Sequence, residues 1–246
     1  MKKHGGTSAP TPAAAAKGAD FVMLMVGNDN DLLDVALGKD GALAGMAKGA
    51  VLVDHTTASA DAARKVFAEA KSRGVDFIDA PVSGGQAGAE NGKLTVMCGG
   101  EAAPFERAKP VMDCYGRAVT LMGAPGAGQL TKMVNQICIA GLVQGLSEGI
   151  AFAEKAGLDV EQVLDVISKG AAQSWQMANR GKTMHARKFD FGFAVDWMRK
   201  DLGICLEEAK RNGAKLPVTQ VVDGYYAEVQ KAGGSRWDTS SLITRL

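Results

Sequence analysis

Residues 123–136 read GAPGAGQLTKMVNQ, and at this stretch the chain changes from one pattern of secondary structure to another. Before it, short apolar runs alternate with helical segments. After it, from about Gly128 to Lys155, apolar residues recur at helical spacing with no proline between them. Such a helix would be roughly 40 Å long at about 1.5 Å per residue. The stretch therefore marks the predicted start of a long helix that joins two domains.

The upstream part has the alternation of a doubly wound sheet. Apolar runs predict strands within 20–26, 50–57, 75–82, 94–100 and 118–123. The segments between them have helical spacing, as in ASADAARKVFAEAKSRG, which follows the second run and ends in glycine. Short strands that are apolar on both faces and alternate with amphipathic helices indicate a mostly parallel α/β sheet.

The downstream part is helical in pattern throughout. Four further segments have helical spacing: DVEQVLDVISKG, SWQMANRGKTMHARK, VDWMRKDLGICLEEAKRNG and PVTQVVDGYYAEVQKAGG. Gly141, Gly145 and Gly149 recur along one stripe of the long helix. Each costs about 1 kcal/mol of helix propensity relative to alanine, so we expect another helix to approach closely there. We predict an α/β domain at residues 1–124 and an all-α domain at residues 125–246.

The composition indicates a globular protein and excludes several classes of function. Of the 246 residues, 46% are hydrophobic and 22% are charged, and the formal net charge is +1. No basic cluster offers the surface that a nucleic-acid partner requires. No stretch approaches the roughly 18 apolar residues of a membrane span. The four cysteines form no C-x-x-C pair, which favours a reducing, cytoplasmic location. The three histidines are far apart in sequence, so we expect no metal site, although His55 follows Asp54 directly.

The glycine-rich loop does not match a phosphate-binding motif. Nucleotide-binding α/β domains open with a strand, a G-x-G-x-x-G turn and an acidic residue about twenty positions later. This sequence has none of them: residues 126–131 read GAGQLT, without the third glycine, and no G-x-x-x-x-G-K-[ST] pattern occurs. Because spacing gives such motifs their mechanism, the glycines and the lysine of 123–136 need another explanation.

Lys132 lies near the start of the predicted long helix, where the helix dipole is positive. An ammonium group is mildly disfavoured there, so we expect its pKa to be lowered, which suits an acid/base lysine. Asn135 and Gln136 follow at i+3 and i+4, on the same helix face. The alternative is a solvated lysine at a frayed helix end, because such a conflict costs only about 0.3–1 kcal/mol.

A second candidate site lies in DAPVSGGQAGAENGKLTVMCGG, residues 79–100. Ser83, Gly84 and Gly85 follow a predicted strand, at the edge where ligands of open α/β sheets bind. Glycines allow backbone N–H groups to approach a small anion, and the serine hydroxyl adds a donor. A simple glycine-rich turn is the alternative.

Three motifs in this order resemble those of the β-hydroxyacid dehydrogenase family, which includes 3-hydroxyisobutyrate dehydrogenase and tartronate semialdehyde reductase. They are the DAPVSGG segment with its following GKL and CGG, then GAGQLTKMVNQ, then RKDLGICLEEA. The resemblance extends from about Gly18 to the C-terminus and lacks only the family's N-terminal dinucleotide fingerprint. It implies a shortened Rossmann-like sheet followed by an all-α domain, NAD or NADP as cofactor, a small carboxylate substrate, and a homodimer or homotetramer.

The resemblance also implies roles for individual residues. Lys132 matches the catalytic lysine of the family. The residues that match substrate-binding positions are Ser83, Gly84, Gly85 and Asn135, and those that match cofactor-binding positions are Met25, Val26, Thr57 and Lys200. Gln136 is an alternative to Asn135, because some members place the amide one position later. Gly27 stands where members usually have proline.

Two functions remain open at this level. One is an oxidoreductase in which Lys132 exchanges the hydroxyl proton of a small hydroxyacid during hydride transfer. The other is a non-catalytic, shortened homologue whose helical domain acts as an oligomerising or binding module. The missing glycine turn favours the second function. The retention of Lys132, Ser83 and Lys200 favours the first, because unused site residues drift. The choice between NAD and NADP depends on a residue of the absent fingerprint.

Overall fold

A six-stranded sheet forms the centre of the first of two structural units. The computed structural model describes residues 5–246, and the units are Met1–Lys132 and Met133–Leu246. The strands are β1 (Phe21–Leu24), β2 (Val51–Asp54), β3 (Asp76–Asp79), β4 (Val82–Ser83), β5 (Leu94–Gly100) and β6 (Gly116–Gly123). Each of the five apolar runs therefore contains a strand, and the two-residue β4 is an addition.

The strand order is β1-β2-β3-β5-β4, with β6 paired to β5. The pairs β1–β2, β2–β3 and β5–β6 are parallel, whereas β5 runs antiparallel to β3 and to β4. The sequence pattern did not indicate this reversal. Its physical reason is the short connection between β3 and β5, which holds only β4 and a helix of six residues. Antiparallel strands accept short connections, whereas parallel strands need a long crossover.

Helices cover the sheet on both faces. Those of the first unit are α1 (Pro12–Ala16), α2 (Asp29–Leu37), α3 (Ala42–Gly45), α4 (Ala60–Ser72), α5 (Gly85–Glu90) and α6 (Ala102–Met112). Asn28 and Ser59 cap α2 and α4, each by accepting a hydrogen bond from a backbone N–H of the first turn. All four residues of β2 are buried, with Leu52 in one apolar cluster and Val53 in the other. Burial on both faces confirms the doubly wound α/β fold.

The second unit is helical. Helix α7 (Ala127–Lys155) begins in the first unit and continues here for most of its 29 residues. It is followed by α8 (Val160–Ile167), α9 (Trp175–His185), α10 (Val195–Asn212), α11 (Pro217–Lys231) and a 3-10 helix (Thr239–Arg245). Tyr226 and Leu202 lie in one buried cluster, and Ile150 and Met184 lie in another. The helical domain is thus present as expected from the sequence.

Helix α7 is apolar, and much of its apolar surface is exposed. By length and composition it is the one described helix that could cross a membrane, with a mean hydropathy of 1.3 and 39% burial over its most apolar window. Core helices of soluble proteins also meet this criterion. An added Cβ at Gly145 or Gly149 would meet no atom within 4 Å, and at Gly141 it would lie 3.6 Å from Val218. In the described chain, the expected close helix contact is therefore absent at Gly145 and Gly149.

Two glycines bring the start of α7 against the sheet. A Cβ on Gly128 would collide with the backbone oxygen of Met97 and lie 2.7 Å from that of Asp79. A Cβ on Gly99 would lie 2.5 Å from Asp79 Oδ1 and 2.7 Å from the backbone nitrogen of Gly128. Gly128 of GAGQLTK and Gly99 of β5 therefore allow the helix to begin directly against β3 and β5.

Gly128→Ala should lower the free energy of unfolding by about 3 kcal/mol, because the methyl group would meet backbone atoms that cannot rotate away. Gly224→Ala in α11 is the matched control, since an added Cβ there meets no atom within 4 Å. Alanine's higher helix propensity should raise its stability by about 1 kcal/mol. Urea denaturation followed by circular dichroism measures both changes. Equal stability of the two variants would contradict the close-approach argument.

Candidate active site

The start of α7 is held by the side chain of Asp79, the last residue of β3. Asp79 Oδ1 accepts a hydrogen bond from the backbone N–H of Gly126 at 2.7 Å, and Oδ2 accepts one from the backbone N–H of Gln129 at 3.0 Å. These donors belong to the positive end of the helix dipole, which favours an anion. Burial raises the pKa of Asp79 to about 6, although the N–H donors act to lower it. The carboxyl group thus caps the helix from a distant strand.

The side chain of Gln129 joins this helix start to the loop after β2. It is fully buried. Its Oε1 accepts a hydrogen bond from the backbone N–H of Ala58 at 3.0 Å, and its Nε2 donates one to the backbone oxygen of Thr56 at 2.7 Å. These partners determine the orientation of the amide, because a backbone N–H only donates and a carbonyl only accepts. Gln129 therefore forms hydrogen bonds with the backbone of both residues that flank Thr57.

Thr56 connects the loops that follow β1 and β2. Its Oγ1 accepts a hydrogen bond from the backbone N–H of Val26 at 3.0 Å, and its own N–H donates to Asp54 Oδ1 at 3.0 Å. Met25 is 65% exposed and Thr57 is half-buried. The predicted cofactor residues of this unit thus lie on adjacent loops at the carboxyl ends of two parallel strands, where ligands of open sheets bind.

Asp54 ends β2 in register with Asp79 at the end of β3. Its Oδ2 is buried, and no atom of residues 5–246 forms a hydrogen bond with it. Burial, with a smaller contribution from the charge of Asp79, raises the pKa of Asp54 to about 7, although its hydrogen bonds with Thr56 act to lower it. Asp54 thus lies beside Asp79, and the pKa values of both carboxyl groups are raised by burial.

His55 bonds through both ring nitrogens. Nδ1 lies 2.6 Å from the backbone oxygen of Ala80, so Nδ1 carries the proton and donates. Nε2 lies 2.8 Å from the Tyr115 hydroxyl and accepts from it. Burial lowers the pKa of His55 and raises that of Tyr115 to about 12, which maintains the neutral pair. Both ring nitrogens of His55 are thus occupied by hydrogen bonds within the first unit. Among residues 5–246 no group of three His, Cys, Asp or Glu side chains could hold a metal ion.

Lys132 is buried, with 7% of its surface exposed, one turn after Gln129 in α7. The alternative of a solvated lysine at a frayed helix end is therefore wrong. An ammonium group out of water near the positive end of a helix is unfavourable on both counts. Lys132 is thus held out of bulk water at the start of α7.

Ser83 is the last residue of β4 and pairs with Thr95 of β5. Gly84 has a φ of 132° and Gly85 a φ of 61°, and only glycine adopts such backbone conformations freely. The chain then enters α5. The opposite end of β5, at Met97 and Gly99, contacts the start of α7, so one strand supports both the serine loop and the lysine helix.

In the second unit, two other predicted site residues are joined by a chain of side chains. Asn135 Nδ2 donates to Gln136 Oε1 at 2.8 Å, and Gln136 Nε2 donates to Asp201 Oδ2 at 2.6 Å. Lys200 Nζ lies 3.0 Å from Asp201 Oδ1. Gln136, the alternative amide from the sequence, thus orients Asn135, and buried Asp201 connects both to Lys200.

The sequence did not reveal the supporting roles of Asp79, Thr56 and Gln129. Each lies inside a stretch that was noted for another reason: Asp79 in DAPVSGG, Thr56 in the predicted strand region 50–57, and Gln129 in GAGQLTK. A carboxylate that directly ends an apolar strand was the available signal for Asp79. No local signal showed that Gln129 would be buried, because its partners are 71 and 73 residues away.

Comparisons with known proteins agree with this geometry. Residues 1–123 match the NAD-binding domain of 6-phosphogluconate dehydrogenase, and residues 126–246 match the NAD-binding model of NADP-dependent 3-hydroxyisobutyrate dehydrogenase. An uncharacterized oxidoreductase of Shewanella frigidimarina is 62% identical over the whole chain and 84% of its own length. The 2-hydroxy-3-oxopropionate reductase of Escherichia coli is 34% identical over 98% of this chain and 83% of its own.

A solved structure has the same fold. The crystal structure of 3-hydroxyisobutyrate dehydrogenase from Salmonella typhimurium superposes with a TM-score of 0.86 at 29% identity, over 96% of this chain and 82% of that one. With both halves matched by dinucleotide-binding models, the cofactor is NAD or NADP. The chain belongs to the β-hydroxyacid dehydrogenase family, whose members include 3-hydroxyisobutyrate dehydrogenase and 2-hydroxy-3-oxopropionate reductase.

Proposed function

We propose that this protein transfers a hydride between NAD(P) and a small β-hydroxyacid of the 3-hydroxyisobutyrate type, or the corresponding semialdehyde. The observation that carries the proposal is the burial of Lys132 on a helix start that Asp79 and Gln129 fix to the cofactor edge of the sheet. A lysine held out of bulk water at this edge of the sheet is well placed to exchange a proton with a bound hydroxyacid.

Bound nicotinamide supplies the acceptor or donor of the hydride. In the oxidative direction, the carbinol C–H bond breaks with its electron pair, and the hydroxyl proton passes to the neutral amine of Lys132, which leaves a carbonyl group. In the reductive direction, the Lys132 ammonium returns that proton to the developing alkoxide. One lysine can serve both directions because it exchanges its proton with the same oxygen atom.

The substrate carboxylate would bind at the turn formed by Ser83, Gly84 and Gly85. The serine hydroxyl and the backbone N–H groups of this turn supply neutral donors that suit a small anion. Asn135, oriented by Gln136, would contact the substrate near the reacting oxygen. Lys200, held by Asp201, would contact the cofactor.

We further propose that the protein forms a homodimer or homotetramer through its helical unit, and that it acts in the cytoplasm. An apolar cavity of about 370 Å³ lies between α7, α8 and α9 and includes Gly145 and Gly149 in its wall. Phe152, on the same helix, is 72% exposed. A two-fold axis can place such a cavity and such a side chain opposite their own copies. Oligomerisation would also suit a non-catalytic homologue, so cofactor binding must be tested directly.

Lys132→Ala should lower kcat by about 10²–10⁴-fold, the usual contribution of a general acid/base. Titration with NAD and NADP should show unchanged binding, because the substitution leaves the cofactor loops intact. Lys132→Arg should restore little of the lost kcat, since a guanidinium group does not release its proton near neutral pH. Steady-state kinetics in both directions measure these effects. Retention of more than about a tenth of kcat by Lys132→Ala would assign proton transfer to another group. A wild-type chain that binds neither cofactor would favour the non-catalytic alternative.

Ser83→Ala should chiefly raise the KM for the hydroxyacid, because the ground state and the transition state share the carboxylate contact. The loss of one hydrogen bond to a charged group corresponds to roughly a tenfold increase in KM, from about 1.5 kcal/mol. The KM for the cofactor serves as an internal control and should not change. An unchanged substrate KM together with a collapse of kcat would show that Ser83 has a different role.

The wild-type protein should have the mass of a dimer or tetramer by light scattering at micromolar concentration. Phe152→Glu should lower that mass, because it would place a charge in an apolar interface. Val221→Glu, at a 51% exposed position of α11, is a control of the same chemistry and should leave the mass unchanged. A monomeric wild type, or an equal effect of the two substitutions, would contradict an interface at the cavity.

A further inference from the structure

Gln129 uses both its backbone and its side chain to join three parts of the first unit. Its backbone N–H donates to Asp79 at the end of β3, at 3.0 Å. Its side chain accepts from Ala58 N–H at 3.0 Å and donates to the Thr56 oxygen at 2.7 Å, both in the loop after β2. All of these atoms are buried, so water does not compete for the bonds. The start of α7 and the loop after β2 therefore share one connection point.

The two residues that flank this connection along the chain belong to the proposed chemistry. Thr57 lies between the two residues that form hydrogen bonds with the Gln129 side chain, and Lys132 lies one helical turn after Gln129. A displacement of Gln129 would change the distance between the nicotinamide side of the cofactor and the proton-transfer group. Transfer of hydride and proton from one carbinol, or to the corresponding carbonyl group, depends on that distance, because small misplacements of reacting groups cost large factors in rate.

We propose that Gln129 is a positioning residue, which holds the loop that carries Thr57 at a set distance from the helix turn that carries Lys132. This proposal rests on the proposed dehydrogenase function. Only an uncharged side chain with a donor and an acceptor satisfies both backbone groups of the loop. An apolar side chain would fill the same space and leave Ala58 N–H and the Thr56 carbonyl without partners.

Gln129→Met tests the proposal, because it keeps length and burial and removes both side-chain bonds. We expect kcat to fall at least tenfold while the substrate KM changes less than threefold. Gln144→Met is the matched control: Gln144 is a buried glutamine of the same helix whose amide bonds to Glu148 at 2.7 Å. Its kcat should stay within twofold of wild type. A Gln129→Met variant with kcat within threefold of wild type would overturn the proposal.

A double variant separates positioning from a general loss of stability. If Gln129 acts through the loop, the effects of Gln129→Met and Thr57→Ala should not multiply. We expect the double variant to lie within threefold of the slower single variant. Rate losses that multiply would show that Gln129 acts independently of the loop, which would overturn the proposal.

Gln129→Glu adds a test by pH that a packing role would not pass. A protonated glutamic acid has the donor and the acceptor of glutamine, whereas the ionised form has lost the donor to the Thr56 oxygen. The ratio of its kcat to that of wild type should therefore rise towards one as the pH falls from about 8.5 to about 5.5. Titratable and charged groups lie near this site. Asp79 accepts from the backbone N–H of Gln129, and Asp54 accepts from that of Thr56. Arg64 lies beside Gly126, and Lys132 follows Gln129 by one helical turn. These groups titrate in wild type as well, so dividing the kcat of Gln129→Glu by that of wild type at each pH cancels their contribution. A constant ratio would overturn the proposal, and this variant alone decides if Gln129→Met does not fold.

Hydrogen exchange distinguishes failure of this proposal from failure of the proposed function. If wild type oxidises no small hydroxyacid, the proposed function is wrong. The connection is then judged by the amides of residues 56–58 and 126–129. Their exchange should accelerate at least tenfold in Gln129→Met and remain unchanged in Gln144→Met. Equal exchange rates of these amides in Gln129→Met and Gln144→Met would show that Gln129 does not hold the loop to the helix.

Discussion

The carboxyl group of Asp79 at the start of α7 is the interaction on which the other features of the site depend. A helix of 29 residues presents unpaired N–H groups and a positive dipole at its first turn. Asp79 satisfies two of those N–H groups from the end of a strand. The position of Lys132 follows from this contact, because the lysine lies only a turn after Gln129. An anion at the helix start also offsets part of the unfavourable field at the buried ammonium group.

Asp54 and Asp79 are neighbours in the sheet, yet their surroundings give them different chemistry. Both end parallel strands in register, and both are buried. Asp79 receives N–H donors from the helix, whereas Asp54 keeps one oxygen without a hydrogen bond in the described chain. The ionised form is therefore better stabilised at Asp79, and the pKa of Asp54 is the higher of the two, about 7 against about 6. Two identical side chains thus hold different parts of the site: Asp79 holds the start of α7, and Asp54 holds the loop after β2 through Thr56.

Much of the architecture was predictable because it depends on local patterns. The strands are continuous apolar runs, and α7 follows from spacing that no proline interrupts. The reversal of β5 was not predictable from periodicity. A strand that is buried on both faces is a continuous apolar run whichever way it points in the sheet. The site divides in the same way. Motifs indicated Lys132 and Ser83 as candidates, whereas Gln129 and the link from Asn135 through Gln136 to Asp201 depend on partners distant in sequence.

The cap of α7 is separated from the helix by 47 to 50 residues of sequence, and this separation joins two events that are independent in most helices. Helix ends usually fray on their own, because their caps come from neighbouring residues. Here the first turn has its cap only while β3 is in place, and loss of β3 leaves the N–H groups of Gly126 and Gln129 without acceptors. Fraying at this end is therefore tied to opening of the sheet, and the first turn takes on the sheet's resistance to local unfolding.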